Sequence, residues 1–156
     1  MVSREGRTLV GLWARMIARL RGRGPRLGGP PGQAQLEDKL GYRFNDTQLL
    51  RQALTHRSHV HVTGLLRIQS NERLEFLGDA VLGMVVNEFL YHRFPGKEEG
   101  DLTKIKSLLV CGATLAKVAE RLDLGEHLLL SRSEDGTGGR HRESILADAM
   151  ESVLGA

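Results

Sequence analysis

The chain is expected to fold as an all-α domain, and three observations carry that expectation. From Gln33 onward apolar residues recur at helical spacing. No alternating apolar and polar run bounded by hairpin turns appears. The punctuation is that of helices, with Gly41, the pair Pro95 and Gly96, Gly125, and the group Gly136, Gly138 and Gly139 each following a periodic stretch. At 156 residues, 40% hydrophobic and 26% charged, the chain suffices for one domain with a buried core and lies outside the range of disordered or collagen-like sequences. No apolar run approaches the ~18 residues of a membrane span. The single cysteine, Cys111, excludes an internal disulfide and a cysteine-rich zinc site, and it reads as a small buried hydrophobe in a reducing compartment. A cytoplasmic location is expected, or an organelle if residues 1–32 are a transit peptide.

The elements follow in order. A short helix over 36–40 ends at Gly41, a natural residue for the position after a helix. Asn45, with Gln48 three residues on, offers an N-cap to a helix carrying Leu49, Leu50, Ala53 and Leu54. A polar, histidine-bearing loop is expected over 55–70. Ser70 or Asn71 then caps a long helix to about Arg93, stopped by Pro95. Asp101 caps another to about Leu122, closed by Gly125. After the glycine loop a last helix starts near Arg142 and is expected to be still running at Ala156. No internal repeat is visible.

Charge is unevenly placed. Residues 1–32 hold seven arginines against Glu5, which leaves 15 basic and 18 acidic side chains, a net −3, on residues 33–156. The basic balance therefore belongs to the extension and says nothing of a nucleic-acid surface on the rest. Within the extension Leu9, Leu12, Trp13, Met16, Ile17 and Leu20 fall at helical spacing among arginines, and 22–32 reads as a glycine- and proline-rich linker. Three readings stand open: a flexible or marginal extension, a translation start placed too far upstream, or a transit peptide, for which serine is scarce. Attraction to RNA or to a membrane surface is a further expectation for these arginines.

The informative segment is NERLEFLGDAVL, residues 71–82. At ~100° per residue, Glu72, Glu75 and Asp79 lie at roughly 0°, 300° and 340°, one narrow arc. Apolar residues cover almost every other direction of this helix, which is the pattern of a buried helix. Like charges at such spacing repel, and buried carboxylates without cations cost several kcal/mol each. Asp148 and Glu151 repeat the theme on the last helix, so two acidic stripes can face each other. Oxygen-only ligands suit a hard divalent cation such as Mg²⁺ or Mn²⁺, and metal-assisted phosphoryl chemistry is the natural use of such a set. The plainer alternative is a solvated acidic face. His56, His59 and His61 show no zinc pattern and read as loop residues, and no serine or cysteine nucleophile has a supporting constellation.

The residue strings resemble the ribonuclease III family. NERLEFLGDAVL is similar to its signature, and Thr55, His56, Arg57 and Ser58 match its THRS element. Glu99 to Leu102 resembles its EGDL, and Gly138, Gly139, then RESILAD with Glu151 resemble its closing elements in the right order. The resemblance runs from about Gln35 to Ala156. It implies an all-α endonuclease domain that dimerises and cuts double-stranded RNA by Mg²⁺-dependent hydrolysis, leaving 5′-phosphate and 3′-hydroxyl ends, in RNA processing such as that of rRNA. It implies metal ligation by Glu75, Asp79, Asp148 and Glu151, with Asp79 and Glu151 the least replaceable, and auxiliary roles for Glu72 and Glu99. It implies that Phe76 enters a pocket on the partner subunit, the alternative being ordinary core packing. Arg57, Lys104 (or Lys106), Arg140 and Arg142 are candidates for phosphate contacts.

Three departures accompany the resemblance. The segment between Ser58 and Asn71 is longer than usual for the family, the nuclease domain is expected to be incomplete at its C-terminal end, and no double-stranded-RNA-binding domain follows within the 156 residues. A non-catalytic RNA-binding or assembly module, or an inactive fragment, is the rival reading, although none of the four acids is missing.

Overall fold

The computed structural model describes residues 32–156. The amphipathic helix expected within residues 9–20, and all of the linker but Gly32, lie outside the described residues. Two compact units divide between Thr47 and Gln48.

In the first unit, α1 (Gln33–Leu40) buries Leu36 and Leu40 and stops at Gly41, whose φ of 67° is the left-handed conformation glycine adopts without strain. The Gly41 and Tyr42 amides donate to the carbonyls of Asp38 and Glu37, satisfying the helix end. Arg43 then turns back to pair with Glu37 and Asp38, while the Phe44 amide donates to Glu37 Oε1 at 2.9 Å.

Helix α2 (Thr47–Ala53) opens at the boundary, two residues past the expected Asn45 cap, and leads into the second unit. The expected loop over 55–70 is largely helical instead: α3 (Arg57–Thr63) is followed by a 3₁₀ turn, Arg67–Gln69. The reason lies in local capping that the loop reading overlooked. His56 Nδ1 accepts the Ser58 amide at 3.2 Å and so starts α3, and Gln69 Oε1 accepts the Leu66 amide at 2.8 Å. Helix α4 (Glu72–Arg93) has the expected extent, with Ser70 Oγ accepting the Glu72 amide.

The long helix expected from Asp101 to about Leu122 is two helices, α5 (Glu99–Leu109) and α6 (Gly112–Arg121). The break sits at Val110 and Cys111, where Thr114 turns its hydroxyl back onto the Leu108 carbonyl at 2.8 Å and its amide onto the Cys111 carbonyl. Cys111 is exposed, not buried as expected, because it precedes the first turn of α6 rather than lying inside a helix. Asp101 falls in the first turn of α5 and pairs with Lys97 instead of capping. Gly125 lies inside a 3₁₀ turn, Leu124–His127, rather than closing a helix. The expected glycine loop is divided between α7 (Arg132–Gly136) and a third 3₁₀ turn, Gly139–His141. Helix α8 (Glu143–Leu154) stops at Leu154, capped at Gly155, and does not run on to Ala156 as expected.

Helix α8 forms the centre of the second unit, packed by α4 and α6. Leu146, Ala149, Met150 and Ser152 are almost wholly removed from solvent, and the burial of Leu146 and of Met150 contributes about 1.5–3 kcal/mol each. The buried positions of α4 are Leu74, Gly78, Leu82, Val86 and Leu90, every fourth residue, which is one ridge set against α8. The expectation that α4 is buried all round fails for this reason. A ridge contact covers one stripe, and Phe76, Leu77, Met84 and Tyr91 on other directions are exposed. Glycine sets the spacing of the two helices. A Cβ at Gly78 would land on the Glu151 carbonyl, and one at Gly155 on the Leu74 carbonyl.

Candidate functional site

The close packing of α4 on α8 brings two acidic pairs together, Glu75 and Asp79 from α4, Asp148 and Glu151 from α8. Burial pushes the Glu151 carboxyl up to about 7, with the negative charges of Asp79, Glu75 and Asp148 adding to the shift. Burial also raises Glu75, helped by Asp148 and Glu72, and raises Asp148 against the opposing pull of His56 and Arg57. These upward shifts mean that the carboxylates are short of compensating positive charge.

Glu72 shares their stripe but not their state. Arg67 grips it with two hydrogen bonds of 2.9 Å, and that pairing holds its carboxyl below the usual range. Glu99 accepts the Thr103 hydroxyl at 2.7 Å in the first turn of α5 and does not line the cavity described next.

A cavity of about 320 Å³ opens on the Glu75 and Asp148 side, lined by His56, Arg57, Asn71, Glu72, Glu134, Arg142, Ser144 and Ile145 as well as the two acids. Residues Leu54 to His56 are held there from both sides. The Leu129 amide donates to the Leu54 carbonyl at 2.8 Å, the His56 amide to the Leu129 carbonyl at 3.1 Å, and the Asn71 amide to the Thr55 carbonyl at 2.8 Å. The His56 ring is buried, which the reading of a solvated histidine loop did not anticipate.

The four basic candidates have different fates. Arg140 donates to the carbonyls of Gly125 and Leu128 at 2.9 and 2.8 Å and pairs with Asp135 at 2.7 Å, so its guanidinium is committed to holding the fold. Arg142 pairs with Glu134 at the cavity edge. Lys104 is highly exposed, with Asp101 4.0 Å away. Arg57 is exposed at the start of α3, lines the cavity, and makes no side-chain hydrogen bond or ion pair among the described residues. Phe76 is 82% exposed, which eliminates core packing as its role in this chain.

Carboxylate oxygens are the donor type that a hard divalent cation takes. Among the described residues no three histidine, cysteine or acidic side chains gather into a group arranged to hold a metal ion, and the four acids are linked by the electrostatic interactions named above.

A family model described as Ribonuclease-III-like matches residues 46–156. The chain belongs to the ribonuclease III-like family. Among curated relatives it is 54% identical over 127 residues to a protein named Ribonuclease 3 from Colwellia psychrerythraea, covering 81% of this chain and 45% of that one. It is 50% identical to a Ribonuclease 3 from Natranaerobius thermophilus, covering 78% of this chain and 52% of the other. The chain thus spans about half the length of the curated relatives it matches. Among solved structures it resembles the nuclease domain of ribonuclease III from Campylobacter jejuni, with a TM-score of 0.73 and 44% identity over 81% of this chain and 82% of that one. A second structure of that domain, with a TM-score of 0.71, 46% identity and coverage of 78% and 80%, is described as showing flexibility in the region involved in dimer formation. The all-α class expected from periodicity is the class of this ribonuclease III-like fold. What sequence reasoning missed is part of the cavity's lining, Glu134 and Ser144 with the buried His56. The available signals were short-range ones, Ser131 three residues before Glu134 and Ser58 two residues after His56.

Proposed function

We propose that this chain is an endonuclease domain that hydrolyses phosphodiester bonds of double-stranded RNA with Mg²⁺, for which Mn²⁺ can substitute, working as a homodimer and leaving 5′-phosphate and 3′-hydroxyl ends. The observation that carries the reading is the mutual electrostatic coupling of Glu75, Asp79, Asp148 and Glu151 across the α4 and α8 contact. These four residues would hold divalent ions, with Asp79 and Glu151 the least replaceable. Such ions supply Lewis acidity at phosphorus and ease the ionisation of the attacking water. The chain's own contribution is positional. The α4 and α8 backbones, in contact at Gly78 and Gly155, hold one acid of each pair, Glu75 and Asp148, in the lining of a cavity that Arg57 and Arg142 also line. Arg57 and Lys104 offer exposed positive charge for RNA phosphates, while Glu72 and Glu99 influence rate and RNA placement from outside the ligand set.

Dimerisation is proposed through the exposed apolar stripe of α4, with Phe76 as its anchor. Two copies present two acidic sites, one for each strand of an A-form duplex, and such a duplex is recognised by shape and 2′-hydroxyls. The arginine-rich extension adds attraction to RNA, and removing residues 1–32 is expected to lower duplex affinity and its salt dependence. A cytoplasmic location is proposed on the strength of the single cysteine.

The test is cleavage of a long end-labelled RNA duplex in Mg²⁺, beside Ca²⁺, a chelator and Glu151→Gln. Short duplex products that disappear in all three controls are expected. Intact RNA with folded, dimeric protein would identify a binding module instead.

A further inference from the structure

We propose that His56 is a substrate-contacting residue: its Nε2–H donates a hydrogen bond to a non-bridging oxygen of the RNA phosphodiester that enters the cavity beside Glu75 and Asp148. The inference rests on the double-stranded-RNA nuclease reading above.

Hydrogen-bond direction determines where the imidazole proton lies. The Ser58 amide is 3.2 Å from His56 Nδ1, and a backbone N–H can only donate, so Nδ1 is the acceptor. Ser58 Oγ, 2.8 Å from the same nitrogen, accepts the Ser131 amide at 3.0 Å and is left with its hydroxyl hydrogen to turn toward Nδ1. The neutral ring therefore carries its proton on Nε2. Burial holds the ring below its ordinary pKa, which favours this uncharged form.

His56 is only 8% exposed, yet it lines the cavity, and Nε2 makes no hydrogen bond among the described residues. The ring is nine-tenths buried, but Nε2 is not among the buried unpartnered side-chain atoms of the described residues, so it is open to the cavity and free to meet an acceptor that enters there. The cavity's own anions are partly spoken for, Glu72 by Arg67 and Glu134 by Arg142. Arg57, next in the chain, also lines the cavity, and its guanidinium acts electrostatically on the imidazole. A neutral donor and a cation lining one cavity suit a phosphate oxygen. A neutral donor also leaves the acidic end of the cavity attractive to cations, which a charged imidazole would not.

The test separates the two edges of the ring. In His56→Asn, Oδ1 takes the place of Nδ1, so the start of α3 is kept and the Nε2 donor is lost. In His56→Gln, the side-chain amide reaches the Nε2 position and the cap is lost. Three readouts apply to each protein: thermal melting, affinity for an RNA duplex in Ca²⁺, and single-turnover cleavage in Mg²⁺. The expected result is that His56→Asn melts like the unmodified protein but loses about tenfold in duplex affinity or cleavage rate, the order of one hydrogen bond, and that His56→Gln recovers most of that loss. Unchanged binding and cleavage by His56→Asn overturns the proposal, as does an equal loss in a folded His56→Gln. If the unmodified protein itself neither binds nor cuts the duplex, the nuclease reading fails first, a separate and recognisable outcome. Nitrogen-15 spectra of the unmodified protein decide the matter even if His56→Asn does not fold. A proton on Nδ1, or an Nε2 signal unmoved by duplex in Ca²⁺, overturns it.

Discussion

Gly78 on α4 and Glu151 on α8 meet backbone to backbone, so closely that a Cβ on Gly78 would fall on the Glu151 carbonyl. The contact links the fold to the chemistry, since the residue whose carbonyl it abuts carries the carboxyl pushed highest by its surroundings. Gly78→Ala is expected to destabilise the protein by about 1–3 kcal/mol, because backbone cannot move aside as a flexible side chain can. It should also lower cleavage, as α8 shifts to relieve the collision. Gly83→Ala on the same helix is the control. There the new Cβ would meet only the flexible end of Lys106, Nζ at 3.6 Å and Cε at 4.0 Å, and a helix-interior alanine stabilises by about 0.5–1 kcal/mol. Urea unfolding of the two variants, with single-turnover rates, checks both directions.

Stability should fall as pH rises through the range in which Glu151 ionises in the unfolded chain but not in the folded one. Its carboxyl has an ordinary value of 4.5 and lies at about 7 in the fold. Between those values the folded state binds the extra proton, so the slope is negative, and above about 7 it flattens. Glu75 and Asp148, raised in the same sense, steepen it. Measured in a chelator, Glu151→Gln should reduce the slope and at about pH 8 unfold about 1–3 kcal/mol later, since it removes one of several unbalanced charges. The same variant should not cleave RNA.

Phe76→Ala should leave the monomer's stability nearly unchanged, because the ring is 82% exposed. If that ring anchors a dimer, its removal costs about 2–4 kcal/mol of association, a 30-fold or greater weakening. Sedimentation equilibrium across a concentration series reads this directly.

Arg140 and Lys104 should part company under mutation. Arg140→Ala strips two carbonyls and Asp135 of their donor and is expected to cost about 2–4 kcal/mol in thermal or urea unfolding. Lys104→Ala, on an exposed side chain, should leave unfolding unchanged and instead weaken duplex binding and flatten its salt dependence by about one phosphate contact.

How much of this was legible beforehand depended on range. Helix α4 was legible nearly to the residue, because Pro95 and a polar N-terminal pair bound a 22-residue apolar period. The acids of α4 and α8 were legible as two stripes, since helical angle depends only on spacing. Helix α3 was missed because its start is made by a histidine ring nitrogen, a cap that periodicity does not register. The break at Cys111 was missed because both sides of it continue a helical pattern, and Thr114 supplies the interruption through a hydroxyl reaching back six residues.

The sequence by itself determined the helical class, the two acidic stripes and the motif order that resembles the ribonuclease III family, because each is a matter of residue type and spacing along one chain. Only the tertiary structure decided which carboxylates lose their solvent, that Glu72 is neutralised by Arg67, that Arg140 is a structural residue, and that Phe76 faces outward. Those outcomes depend on which surfaces touch, and the closeness of that contact is set at Gly78 and Gly155, where the absence of two side chains lets α8 approach α4 closely enough to bring four like charges together.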